Sequence, residues 1–221
     1  MSSLSEWLRP HRTVPVTPWS AGESNWKATP KSYAALIFGL WLFGTGEAAL
    51  VAANAGVSPW TVFAQGISKQ TGLSIGWSTF FISLGALSLW IPLKRKPGLG
   101  TVSNIFVIAF TLQNMIPLFP EPTNKVLQIV QVLVGVVIVG FGSAFYITSN
   151  LGPGPRDGLM TGIHFRTGIR VGRVRTGIEA TVLVVGWLLG GTVGIGTVIF
   201  AVLVGQSIAM AFGIVSRISP R

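Results

Sequence analysis

Residues 150–168 (NLGPGPRDGLMTGIHFRTG) repeat the skeleton of residues 54–72 (NAGVSPWTVFAQGISKQTG), so the chain must adopt a fold that suits both copies. At a constant offset of 96, Asn54 matches Asn150, Gly56 matches Gly152, Pro59 matches Pro155, Gly66 matches Gly162 and Gly72 matches Gly168. The register holds without a gap from Gly39 to Val102, with 19 of 64 positions identical to Gly135 through Val198. A period this long marks a duplicated half, not a solenoid array.

The environment of that duplication follows from hydropathy. Nearly half of the 221 residues are hydrophobic, a tenth are charged, and the mean hydropathy is +0.63. Such a chain reads as an all-α polytopic membrane protein. A bilayer-spanning helix needs about 20 apolar residues, and six stretches come close: 33–53, 74–93, 100–119, 126–149, 174–190 and 194–215. With both termini cytoplasmic, fourteen of the sixteen Lys and Arg residues fall on the inner side, leaving only Lys69 and Lys125 outside. Because each copy carries three spans, the second enters the membrane from the opposite side. The expected fold is therefore six transmembrane helices arranged as two inverted three-helix repeats, each with a short non-spanning helix.

This organisation divides the chain into a cytoplasmic basic tail (1–32), a first membrane repeat (33–119), an outer linker (120–125), a second repeat (126–215) and a cytoplasmic C-terminus (216–221). The tail holds Arg9, Arg12, Lys27 and Lys31 and no apolar run, so it reads as solvated or interface-lying and not as a secretory signal. The short helices are expected at 59–71 and 155–167. Pro59 and Pro155 suit a first helical position, with Ser58 as an N-cap and Gly154 as a weaker start, and Gly72 and Gly168 are stops. At thirteen residues neither can span. Each either lies flat at the interface or enters the protein with its free N–H groups toward a ligand.

The polar residues near these elements are the candidate site. Glu47 lies within the first span with no cation one turn away, a costly position typical of groups facing a cavity, and it suits either proton or cation coupling or a structural hydrogen bond near the outer interface. Arg156 and Asp157 open the second short helix, the Asp favoured by the helix dipole and the Arg placed to meet lipid phosphate, an anionic substrate or an intramembrane carboxylate. Asn54 and Asn150 occupy equivalent helix ends and can cap them. Glu179 follows Arg175 by four residues, the spacing of an intrahelical ion pair. Gln113, Asn114 and Gln206 are further cavity candidates.

Several function classes fall away. There is no cysteine, and His11 and His164 are far apart, so no metal site is expected. The GPGPRD stretch lacks the Lys-Ser/Thr ending of a phosphate loop, no catalytic arrangement appears, and no cofactor or enzymatic activity is expected. The net charge of +10 belongs to membrane orientation and not to nucleic-acid binding.

LGPGPRDGLMTG (151–162), RVGRVRTGIE (170–179) and GWLLGGTVGIGTV (186–198) resemble the bacterial YczE/YyaS-like integral membrane proteins, related to the YitT group. The resemblance covers residues 33–215, leaves out the basic tail, and implies a bacterial cytoplasmic-membrane protein. It carries no substrate or catalytic residues with it. The expected function is a small secondary transporter or permease with its site between the repeats, near Glu47 and the short-helix starts. A non-transporting factor that binds lipid or supports a biosynthetic assembly is the alternative. The expected partners are membrane lipids, an anionic or lipid-like substrate and, for so small a bundle, a second copy in a homodimer.

Overall fold

The computed structural model describes residues 13–22 and 24–218. These form eight α-helices and no strand: α1 (Pro30–Ala53), α2 (Pro59–Thr71), α3 (Ile75–Ser88), α4 (Leu99–Met115), α5 (Lys125–Thr148), α6 (Pro155–Thr167), α7 (Val171–Leu188) and α8 (Ile195–Ile218). The short helices begin and end at the residues their punctuation dictates. Pro59 and Pro155 sit in the first turn, and Gly72 and Gly168 close the helices with φ of 76° and 72°. Side chains of Thr29, Ser74 and Asn124 cap α1, α3 and α5. Ser58 occupies the N-cap position of α2 without capping it, because its hydroxyl turns to Glu47 instead.

Four helical segments are long and apolar enough to cross a membrane: Pro30–Ala53, Leu99–Leu118, Lys125–Thr148 and Ile195–Ile218. The other two expected spans differ. The apolar run 74–93 is helical only over the 14 residues of α3, roughly 21 Å at 1.5 Å per residue. Beyond Ser88 the chain turns, and Trp90 packs inward at 2% exposure. The apolarity of Trp90 serves internal packing, while Trp77, Phe81, Leu89 and Ile91 of the same run stay exposed. Helix α7 runs 18 residues but carries Arg173, Arg175 and Glu179 in its first half.

Helices α1 and α5 cross at the centre, flanked by α4 on α1 and α8 on α5. Small residues set the crossing distance. A Cβ at Gly46 would lie 2.7 Å from the Gly135 carbonyl oxygen, and one at Gly39 2.8 Å from that of Gly142. Adding 96 to Gly39 and Gly46 gives Gly135 and Gly142, so the two contacts exchange under the repeat. Other contacts do the same. Gly100 N–H donates to Leu151 O at 2.7 Å, and its counterpart Gly196 N–H donates to Ala55 O at 2.8 Å. The Trp90 ring lies over Gly158, while at the equivalent positions Gly186 lies against Val62. Such reciprocity is that of two halves related by a two-fold axis, with α2 packed on α7 and α6 packed on α3 across it.

One joint breaks the reciprocity. Helix α3 packs along α4, where a Cβ at Gly76 would stand 2.8 Å from Ala109 O and 2.7 Å from Gln113 Cβ. The corresponding α7 makes at most marginal contact with α8, and added Cβ atoms at Gly172 and Gly205 would meet nothing within 4 Å.

The described part of the tail is anchored to the bundle at a few points, while Val14, Val16 and residues 25–29 remain exposed. Thr17 and Ala21 are 1% and 6% exposed. Ala21 N–H donates to Ser149 O, Trp19 Nε1 to Thr148 Oγ1, and Leu99 N–H to Asn25 O. Arg9, His11, Arg12 and Arg221 lie outside the described residues.

Candidate functional site

Both short helices point their N-terminal halves into the protein and leave their C-terminal ends exposed: Pro59 through Val62 are buried and Lys69 through Thr71 are exposed. Their apolar faces meet in one cluster, with Trp60 and Ala64 from α2, Met160 from α6, Ile82 from α3 and Val174 from α7. They are inserted elements.

Between the two helix starts lies a cavity of about 150 Å³. Its wall is built from equivalent positions of the two halves: Phe43 with Val139, Glu47 with Ser143, Trp60 with Arg156, Ser83 with Glu179, and Asn104 with Phe200. A cavity lined this way straddles the two-fold axis. The backbone is duplicated, yet the polar groups are not, so the charge distribution is specific to this site and not inherited from the repeat.

Glu47 is 2% exposed, and its Oε2 accepts hydrogen bonds from Ser58 Oγ at 2.8 Å and Thr61 Oγ1 at 2.7 Å. The carboxylate of α1 thus sits over the first turn of α2, where the unpaired N–H groups and the dipole favour negative charge. The second half reverses the placement. Asp157, the counterpart of Thr61, supplies the carboxylate from α6 itself, and Tyr146 donates its hydroxyl to Asp157 Oδ2 at 2.5 Å. Arg175 Nε and Glu179 Oε1 form the expected i, i+4 pair at 2.8 Å, partly exposed, and both line the cavity. The Arg156 guanidinium stacks over the Trp60 ring at 4.8 Å and forms no ion pair among the described residues. A cation–π contact contributes about 0.5–2 kcal/mol and leaves the guanidinium donors free.

Four of the nine residues singled out from the sequence, Glu47, Arg156, Asp157 and Glu179, therefore share one cavity. Asn54 and Asn150 do not line it. Both sit exposed at helix ends with φ of 50° and 56°, a left-handed conformation that asparagine tolerates. Asn150 Nδ2 also ties the tail through Ala21 O and Gly22 O. Gln113, Asn114 and Gln206 face outward. The site residues missed include Trp60, Thr61, Ser83 and Ser143, and the offset of 96 names each of them from Arg156, Asp157, Glu179 and Glu47. For Tyr146, Ser58 and Asn104 the sequence holds no comparable signal.

Four long apolar helices, with two inserted short helices around an axial polar cavity, define a multi-pass α-helical membrane protein. Residues 30–212 match the model of the family of unknown function DUF6198, and the chain belongs to that family. An uncharacterized protein of Haemophilus influenzae is 42% identical over 207 residues, 94% of each chain. That match reaches into the segment before Tyr33, consistent with its docking. The uncharacterized membrane protein YczE of Bacillus subtilis is 35% identical over 153 residues, 68% of this chain and 70% of that one. YyaS from the same organism is 26% identical over 188 residues, 81% and 91% of the two chains. No solved structure matches the chain.

Proposed function

We propose that this protein is a small permease of the bacterial cytoplasmic membrane, with both termini inside and its substrate site in the axial cavity. On this reading α3 and α7 complete six crossings, the halves are inverted, and α2 and α6 are re-entrant. The observation that carries the reading is that both short helices begin, buried, at one polar cavity shared by the two halves. That is where transporters built from inverted repeats place their substrates, with helix N-termini toward anionic groups. Glu47 acts as the coupling carboxylate and Arg156 as the substrate-facing cation. The proposal includes no enzymatic activity, no cofactor and no nucleic-acid partner. Membrane lipids surround the bundle, and a homodimer is its candidate assembly. A non-transporting lipid-binding or assembly factor is the second reading, favoured by the partial exposure of the Arg175–Glu179 pair on the cavity wall.

Uptake into proteoliposomes of a panel of small organic anions and fluorescent anionic lipids tests this. The wild-type protein is expected to move at least one of them, with Glu47→Gln and Arg156→Ala each lowering the rate tenfold or more and the outward-facing Asn114→Ala leaving it unchanged. Equal rates in all four proteins would remove the cavity from the mechanism.

A further inference from the structure

We propose that the cavity takes the anionic headgroup of a membrane amphiphile, admitted sideways between α7 and α8 while its apolar chain stays in the bilayer. The proposal rests on the cavity being the binding site and names its ligand. Open donors decide the headgroup. Among the cavity's carboxylates, Glu47 is held by two hydroxyls, Asp157 by Tyr146 and Glu179 by Arg175. Arg156 feels the charges of Glu47, Asp157 and Glu179 but forms no ion pair with any of them among the described residues, and its guanidinium, stacked on Trp60, keeps its N–H donors for a ligand oxygen. Two further groups await a ligand: Ser83 and Ser143, 4% and 2% exposed, line the cavity and form no side-chain hydrogen bond among the described residues. A ligand oxygen or a water supplies the partner that each hydroxyl lacks.

Shape decides the route. A space of about 150 Å³ is below the roughly 300 Å³ of a pocket that encloses a drug-sized molecule. It holds a headgroup and no chain. The seam between α3 and α4 is shut by Gly76 against Ala109 and Gln113, but the equivalent seam between α7 and α8 stands apart. Arg175 and Glu179 line the cavity from α7 yet remain 46% and 29% exposed at the side chain, so the cavity wall continues to the outer surface there. The opposite edge, on α8, is apolar: Phe200, Val204 and Ile208. A charged edge facing an apolar edge suits a molecule that is polar and anionic at one end and hydrocarbon at the other. A soluble anion needs no such apolar wall.

The test uses the full chain in nanodiscs containing phosphatidic acid with a diazirine in one acyl chain. Irradiation and peptide mapping are expected to place label on α8 around Phe200, Val204 and Ile208. Arg156→Gln should cut that label at least tenfold, with Arg170→Gln changing it less than twofold. Gly205→Phe lies where an added side chain meets open space; it should keep the wild-type melting temperature and block the label. This guards against a misfolded Arg156 variant. A phosphatidylcholine probe should label this site at least tenfold less. Label spread evenly over the outer faces of the bundle, or unchanged in both Arg156→Gln and Gly205→Phe, overturns the proposal. So does loss of the label to excess soluble glycerol phosphate, which would make a free anion the ligand. Site-specific label without uptake would remove the permease reading and leave this one standing.

Discussion

Alanine at Gly158 is expected to lower the stability of the purified protein by about 3 kcal/mol or more, seen as a large fall in melting temperature. A Cβ at this position runs into the six-membered ring of Trp90. The ring cannot easily retreat, because it is buried and its Nε1 donates to Pro155 O at 2.9 Å. Overpacking of an ordered interior costs about 1–3 kcal/mol, and more where the neighbour is rigid. The other half solves the same contact in reverse, with Val62 against Gly186. Transplanting that solution as the double variant Trp90→Gly/Gly158→Val should therefore cost less than the two single changes added together. Additive losses would argue against the two-fold relation of these contacts, and a Gly158→Ala protein as stable as wild type would show that the indole is not fixed there.

The α1–α5 crossing carries the second large effect. Valine at Gly142 places a branched side chain where even a Cβ would stand 2.7 Å from Gly39 O on the facing helix. Backbone cannot give way as a side-chain tip can. The expected result is loss of monodisperse, folded protein on size-exclusion chromatography. Gly177→Ala is the control: nothing lies within 4 Å of its added methyl, and alanine is favoured over glycine in a helix by about 1 kcal/mol. That variant should be as stable as the parent or more so. If Gly142→Val elutes and melts like Gly177→Ala, the central crossing is not set by its glycines.

These two positions also show which parts of the fold could be read from residues alone. Glycine, proline and asparagine restrict the backbone locally, so the bounds of α2 and α6 follow from Pro59, Gly72, Pro155 and Gly168 without tertiary information. Apolarity is less local. The run through Leu89, Trp90 and Ile91 looks like a continuing span, yet the chain has already left the helix and Trp90 faces α6. Hydropathy records that a side chain avoids water but not whether protein or lipid receives it. The site was legible to a similar depth. A lone carboxylate in an apolar run marked Glu47, and the dipole argument marked Asp157. Asn54 and Asn150 were equally conspicuous, but their repetition served a left-handed helix end and not the cavity. Repetition alone marks what the backbone needs. The cavity's chemistry lies where the repeat has diverged, as at Trp60 and Arg156 or Ser83 and Glu179.

That divergence leaves the joint between α7 and α8 in an unusual position. Gly172 and Gly205 match Gly76 and Ala109, the small residues across which α3 and α4 close, although no neighbour presses on either glycine here. The chain thus carries the parts of a second closed seam alongside the one it makes. On the permease reading proposed above, closing the α7–α8 seam and parting its α3–α4 counterpart would carry the cavity's mouth from the α7 side to the α3 side.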